Sequence, residues 1–254
     1  MNVVILQTNI DWADAVSNRK RAECMMDDYK EADLFVLPEM FSTGFCMTPE
    51  LVAEEQGGDT LLWMRRMALE HNCAVAGSVS VKENDIYYNR FYFVCPDGTV
   101  YSYDKRHLFT YSGENLKYTA GDKRVIVSYG GFRILLQICY DLRFPVWSRC
   151  RGDYDVAIYV ANWPSSRREV WNVLLKARSL ENQCYVIGVN RVGEDPSCVY
   201  DGGSVVLSPY GKVLGACADG KEEAVSVILE RAPLDSFRKR FPVLNDGDIF
   251  QIEP

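Results

Sequence analysis

Histidine is almost missing from these 254 residues: there are two, His71 and His107. A thiol or hydroxyl nucleophile usually borrows its base from histidine, so such chemistry must draw on one of these two or on another group. No Cys-x-x-Cys pair occurs, and the nine cysteines are odd in number and scattered from Cys24 to Cys217. That argues against a disulfide framework or a zinc ribbon and for reduced thiols; no metal or other cofactor is expected. Long basic blocks are missing as well, and the formal net charge is −7, which speaks against nucleic acid or an anionic membrane as main partner. No apolar stretch approaches the ~18 residues of a membrane span. The opening MNVVILQTN carries no basic leader and too short an apolar run for secretion, so a cytoplasmic location is expected.

What is present reads as a globular enzyme, 48% hydrophobic and 25% charged. Short runs rich in Val and Ile alternate with stretches of helical period. Residues 3–7, VVILQ, read as a buried strand, and Ala22, Met25, Met26 and Tyr29 fall on one face of a helix. DLFVLP is a strand ended by Pro38, a helix covers roughly 59–71, and CAVAGSVSV is a strand again. Two further strands meet at Pro96-Asp97-Gly98, a turn in which proline presets φ and glycine accepts a positive one.

The second half replays this order. RILLQIC resembles VVILQTN with Gln137 in the place of Gln7 and Cys139 in that of Asn9, and DVAIYVANWP echoes DLFVLPEM. LENQCYVIGVN echoes LEHNCAVAGSV, and LSPYGKV echoes CPDGTV. The repeat predicts an α/β fold of two similar sheets packed face to face with helices outside, an αββα sandwich. No linker or low-complexity stretch interrupts the chain, so residues 1–254 are expected to form a single domain.

Four residues stand where strands hand over to loops. Cys139 closes the aliphatic run ILLQI, either as a small hydrophobe or as a thiol delivered to a pocket. Glu39 follows LFVLP directly, where α/β architectures build their sites, or it is an acid stabilising a helix start. Lys105 ends TVYSYDK as a solvated cation, or it faces a thiol and a carboxylate, favouring thiolate and stabilising a developing oxyanion. Glu114 lies in the glycine-bounded loop SGENLKYTAG, at the surface or in the site. Among the histidines, His71 at a helix end reads as structural, and His107 alone is a candidate for a papain-like pair.

In order and spacing, LPEMF, YDKRHLF and QICYDLRFPVWSR resemble the Glu–Lys–Cys signature of the nitrilase, or carbon–nitrogen hydrolase, superfamily. FSTGF, ANWPSSR, ARSLENQCYV and NRVG are most similar to its omega-amidase-like branch. The resemblance implies the αββα sandwich, homodimers that stack sandwich on sandwich, and hydrolysis of the distal amide of 2-oxo dicarboxylate monoamides such as 2-oxoglutaramate and 2-oxosuccinamate. A nitrile, an N-carbamoyl amino acid or a catalytically silent binding role are the alternatives. Carried over by position, Glu39 becomes the general base, Lys105 the stabilising cation and Cys139 the nucleophile. Glu114 orients the lysine or assists proton transfer, and the backbone N–H of Tyr140 helps hold the oxyanion. Asp141 and Arg143 read as a structural pair shaping the turn, and Pro145 as the first turn of a helix whose amides favour thiolate. Phe41, Phe45, Trp163 and Trp171 are candidate pocket walls, and Arg143, Arg167 and Arg168 candidate partners for a substrate carboxylate. The C-terminal DIFQIEP is expected, by resemblance, at a subunit boundary.

Overall fold

The structure is a computed structural model that describes residues 1–252. Its first half folds as β1 (Asn2–Gln7), α1 (Ala15–Met26), β2 (Leu34–Val36), α2 (Pro49–Val52), β3 (Glu54–Glu55), α3 (Asp59–Glu70), β4 (Ala74–Glu83), β5 (Ile86–Val94) and β6 (Val100–Asp104). The second half runs β7 (Ile126–Tyr129), β8 (Phe132–Ile138), α4 (Pro145–Ser148), β9 (Val156–Ala161), α5 (Arg168–Asn182), β10 (Tyr185–Asn190), a ribbon of β11 (Val192–Glu194) and β12 (Val199–Asp201), then β13 (Val205–Leu207) and β14 (Val213–Ala216). Strand β15 (Glu223–Ile228) and helix α6 (Arg231–Arg240) follow. One sheet is ordered β15-β1-β2-β4-β5-β6, with β3 added beside β4; the other is ordered β14-β13-β10-β9-β8-β7.

Each sheet is covered on both faces, which is why the strands read as unbroken aliphatic runs rather than alternating ones. Val3, Ile5, Leu34 and Val36 of the first sheet meet Ile134, Leu136, Ile158 and Val160 of the second between the layers. Val4, Leu6 and Phe35 turn outward onto Met26 of α1 and Met64 and Met67 of α3. Leu135, Ala157 and Val186 turn outward onto Trp171 and Leu175 of α5. The order of layers is helix, sheet, sheet, helix, as the repeat implied.

The repeat is also visible in detail. The turns after β5 and β13 close with matching bonds, Gly98 N to Cys95 O and Gly211 N to Ser208 O, and both glycines hold the positive φ that such turns require. In one place the sequence alignment of the halves slips. Val3 pairs with Leu34 and Ile134 with Val156, so Ile138, not Gln137, occupies the site of Gln7, and Cys139 that of Thr8. A slip of one residue reverses every side chain of a strand; only the shifted alignment puts Val3 and Ile134 on the same inner face.

Asp155, just before β9, is fully buried and gathers three arginines. Its carboxylate accepts from Arg133 N, Nε and Nη2, from Arg231 Nη1 at 2.8 Å and from Arg238 Nη1 at 2.7 Å, tying α6 to the second sheet. Burial alone would raise its pKa, but the Arg133 hydrogen bonds and the surrounding guanidinium charge outweigh burial and hold the carboxyl at about 2. Because the folded pKa lies below the unfolded ~3.9, the stabilisation is fully present above that value and lost as pH falls through about 2. Asp155→Asn is expected to cost about 1–3 kcal/mol at pH 7 by weakening the charge-assisted bonds from three partly exposed arginines to one buried acceptor. In urea denaturation the gap to the unmodified protein should narrow below pH 4.

Candidate active site

Three strand ends and one hairpin end meet at one site, with Lys105, Cys139 and Asn162 lining a cavity and Glu39 buried behind them. Glu39 follows β2, Cys139 follows β8, Asn162 follows β9, and Lys105 follows β6. Cys139 takes a φ of +44°, and Met40, next to Glu39, one of +42°. Left-handed backbone at non-glycine residues is costly and persists only where the surroundings impose it. Around Cys139 the imposing group is Asp141, in the short 3₁₀ turn Cys139–Arg143. Its Oδ2 accepts from Ile138 N at 3.0 Å and Tyr103 Oη at 2.7 Å, while Oδ1 accepts from His107 N at 3.0 Å. Tyr103 and His107 flank Lys105 in sequence, so one buried carboxylate fastens the cysteine turn to the lysine strand.

Glu39, Lys105 and Glu114 are all fully buried. The Lys105 ammonium donates to Glu39 Oε1 at 2.9 Å and to both oxygens of Glu114, at 3.0 and 2.9 Å. Asn89 Nδ2 donates to Glu39 Oε1 at 2.7 Å, and the Asn162 backbone N–H to Oε2 at 2.8 Å. Phe109 N donates to Glu114 Oε2 at 2.6 Å, and the Phe45 ring lies 5.1 Å from the Lys105 nitrogen. Glu39 also stands close enough to the Cys139 thiol for its charge to act on it. Part of Cys139 opens on the cavity, yet protein atoms crowd its sulfur.

The electrostatics differ from the expectation of a resting thiolate. Burial pushes the Cys139 thiol well above its usual range, the Glu39 and Glu114 charges push the same way, and Lys105 opposes them without prevailing. Burial also works against the Lys105 charge, but Glu114 and Glu39 outweigh it and raise its pKa. Glu114 is itself raised, by burial first and against the pull of Lys105. One cation thus serves two carboxylates, and the thiol keeps its proton until something takes it. Helix α4 does not change this: it is a single turn beginning at Pro145, and the residue after Ile138 opens a 3₁₀ turn instead.

The cavity, about 470 Å³, is lined by Phe45, Lys105, Phe109, Cys139, Tyr140 and Trp163 among others. Arg143 and Arg167 also line it, Arg143 stacked over the Trp163 ring at 5.2 Å and Arg167 over Phe109 at 5.3 Å. Other expected wall residues lie elsewhere. Phe41 is buried in the outer core against Trp63, in space that Gly77 leaves open. Trp171 packs under β10, and its Nε1 donates to Gly203 O. Arg168 is bound to Asp201 and Asp219. The expected Asp141–Arg143 pair is not formed, since Asp141 is taken up by Ile138, Tyr103 and His107. The His107 ring stacks on Phe144 at 3.8 Å with Nδ1 2.8 Å from Asp141, and His107 is not among the lining residues. His71 closes α3 and packs edge-on to Phe35.

A buried lysine held between two carboxylates beside a strand-end thiol is an arrangement for acyl transfer at a carbonyl or nitrile carbon. The family model described as "Carbon-nitrogen hydrolase" matches residues 2–239. The chain belongs to the carbon–nitrogen hydrolase family. Among its relatives, this hydrolase is 42% identical over 253 residues to an omega-amidase (YafV) of Yersinia enterocolitica, covering 98% of each chain. It is 34% identical to a 2-oxoglutaramate amidase of Bacillus subtilis (strain 168), over 95% of each. A Xanthomonas campestris CN-hydrolase superfamily protein, solved with an arsenic adduct in its active site, superposes with a TM-score of 0.97 at 38% identity, covering 100% of this chain and 99% of that one. The carbon–nitrogen hydrolase described here is therefore an amidase, a hydrolytic enzyme. No helix among its described residues is long and apolar enough to cross a membrane.

The sequence reading missed Asn89 and Asn162, both held against Glu39. Asn89 had a signal: it is a lone amide within the aromatic strand IYYNRFYFV, and an amide buried there needs polar company. Asn162 had only its place after a fully buried strand.

Proposed function

We propose that this amidase hydrolyses the distal carboxamide of small 2-oxo dicarboxylate monoamides, 2-oxoglutaramate and 2-oxosuccinamate, through a thioester on Cys139. The observation that carries this reading is the buried Lys105 bridging Glu39 and Glu114 at the floor of a cavity walled by Arg143 and Arg167. The omega-amidase and 2-oxoglutaramate amidase relatives support the substrate class.

In the first half-reaction Glu39 takes the thiol proton as the sulfur bonds to the amide carbon. This transfer moves a charge from carboxylate to sulfur without changing the net charge of the buried cluster, so the raised thiol pKa does not block it. The new oxyanion is held by the Tyr140 N–H and by Lys105, which must turn one of the three N–H groups now given to Glu39 and Glu114 from Glu114 to the oxyanion. Protonated Glu39 then gives its proton to nitrogen as the C–N bond breaks and ammonia leaves. In the second half, water gives a proton to Glu39 and adds its oxygen to the thioester carbon. The C–S bond breaks, the acid departs, and the proton returns to sulfur. At the cavity wall an arginine pairs with the free carboxylate of the substrate, a match of fork to carboxylate that lysine makes less well.

The test is ammonia release from 2-oxoglutaramate, 2-oxosuccinamate, a simple nitrile and an N-carbamoyl amino acid. Turnover of the two oxo-acid amides with a mass increase on Cys139 is the expected result. Turnover of the nitrile or carbamoyl compound alone overturns the substrate assignment.

A further inference from the structure

Asn162 carries a buried side-chain oxygen without a donor, and it belongs to a residue that lines the cavity. Its orientation is fixed. The backbone N–H donates to Glu39 Oε2, and Nδ2 donates to the Glu39 carbonyl at 2.6 Å, a contact that only the nitrogen end of the amide can make. Both nitrogens of Asn162 therefore bond Glu39, and Oδ1 is left over, screened from bulk water and unpaired. An acceptor in that state carries an uncompensated desolvation cost until a donor arrives.

We propose that Asn162 Oδ1 accepts an N–H of the scissile carboxamide and holds the departing nitrogen beside Glu39. The inference rests on the acyl-transfer reading of Cys139 given above. A primary amide brings two N–H donors. One is free to meet Asn162 while the nitrogen lone pair, growing as the carbonyl carbon becomes tetrahedral, turns toward the proton on Glu39. The same residue thus holds the Glu39 carboxylate through its backbone N–H, the Glu39 carbonyl through Nδ2, and the leaving group through its oxygen. An ester offers only lone pairs at the leaving atom and would face Oδ1 acceptor to acceptor. A site built to bond an N–H discriminates strongly against a compound lacking it, because its own polar atom stays unpaired. Asn162 is on this account a selector for amides over esters of the same acid.

The test compares two leaving groups on one acyl group, succinamate and 4-nitrophenyl succinate, in the unmodified enzyme and in Asn162→Leu. Nitrophenolate needs no proton to leave, and both substrates pass through the same thioester. The expected result is a fall in kcat/KM about 10²-fold larger for the amide than for the ester, the loss on the ester measuring the share of Asn162 that only places Glu39. Equal losses for the two substrates mean that Asn162 serves only to place Glu39, and they overturn the inference. Asn162→Ala, made in parallel, supplies the same comparison should the leucine variant not fold. An unmodified enzyme that acquires no succinyl mass on Cys139 from either compound overturns the proposed function itself, and this inference with it.

Discussion

Cys139→Ala is expected to lower ammonia release by about 10⁴–10⁶-fold, the scale on which removal of a covalent nucleophile acts. The fold should be kept, because alanine and cysteine suffer the same positive φ and the Asp141 bond to Ile138 N is untouched. Mass spectrometry after exposure to substrate should show an acyl adduct on residue 139 in the unmodified protein and none in the variant. Six of the other cysteines are buried, so a competing adduct would have to fall on Cys24 or Cys198. Two companion variants separate the identity of the base. Glu39→Gln keeps the shape of the side chain and removes the proton acceptor, with an expected loss of about 10²–10⁴-fold. His107→Ala should lose less than the ~10² of a general base, since its Nδ1 is engaged by Asp141 and its ring by Phe144. The reverse ranking would restore a Cys–His pair and remove Glu39 from the chemistry.

The contrast between those residues shows what a one-dimensional reading can reach. Glu39 and Cys139 stood out because each ends an apolar strand, and strand ends in α/β folds face the site; Lys105, at the end of the mixed strand VYSYD, was assigned its role by the resemblance. The internal repeat gave the layers, since matching hairpins and strands imply matching sheets. What failed was direction rather than position. Phe41 lies two residues from Glu39 yet turns outward into the space beside Gly77. Trp171 and Arg168 lie close to Arg167 in sequence, but the turn of α5 sends the first into the core and the second to Asp201 and Asp219. The partner of Asp141 was misread for the same reason. Arg143 is near in sequence, but the carboxylate is taken up by the Ile138 N–H behind it and by donors from the hairpin strand bearing Tyr103 and the loop after it. Long-range hydrogen bonds leave no periodicity behind. The one-residue slip between β1 and β8 arose because two glutamines matched by letter while their faces differed. The last two residues of DIFQIEP lie outside the described structure; of the rest, Phe250 packs under the Arg151 guanidinium.

Lys105→Met should damage both stability and catalysis, and the two losses can be pulled apart. In the folded protein the lysine is the partner of two buried carboxylates at 2.9 Å each. Removing it leaves Glu39 and Glu114 facing each other without a cation, at an expected cost of about 3–5 kcal/mol near neutral pH. The cheapest relief is to protonate one of them, and Glu114, already raised by burial, is the group placed to accept the proton. A carboxyl whose folded pKa exceeds its unfolded value is relieved as pH falls, so the penalty should shrink between pH 8 and pH 5 in urea denaturation. Glu114→Gln in the same chain removes the surplus charge and should restore most of the stability. Activity should not return with it. The oxyanion would still lack its cation, and the rate should stay about 10²–10³-fold down. A double variant that regains both stability and turnover would reduce Lys105 to a structural counter-ion and leave the oxyanion to Tyr140 N–H alone.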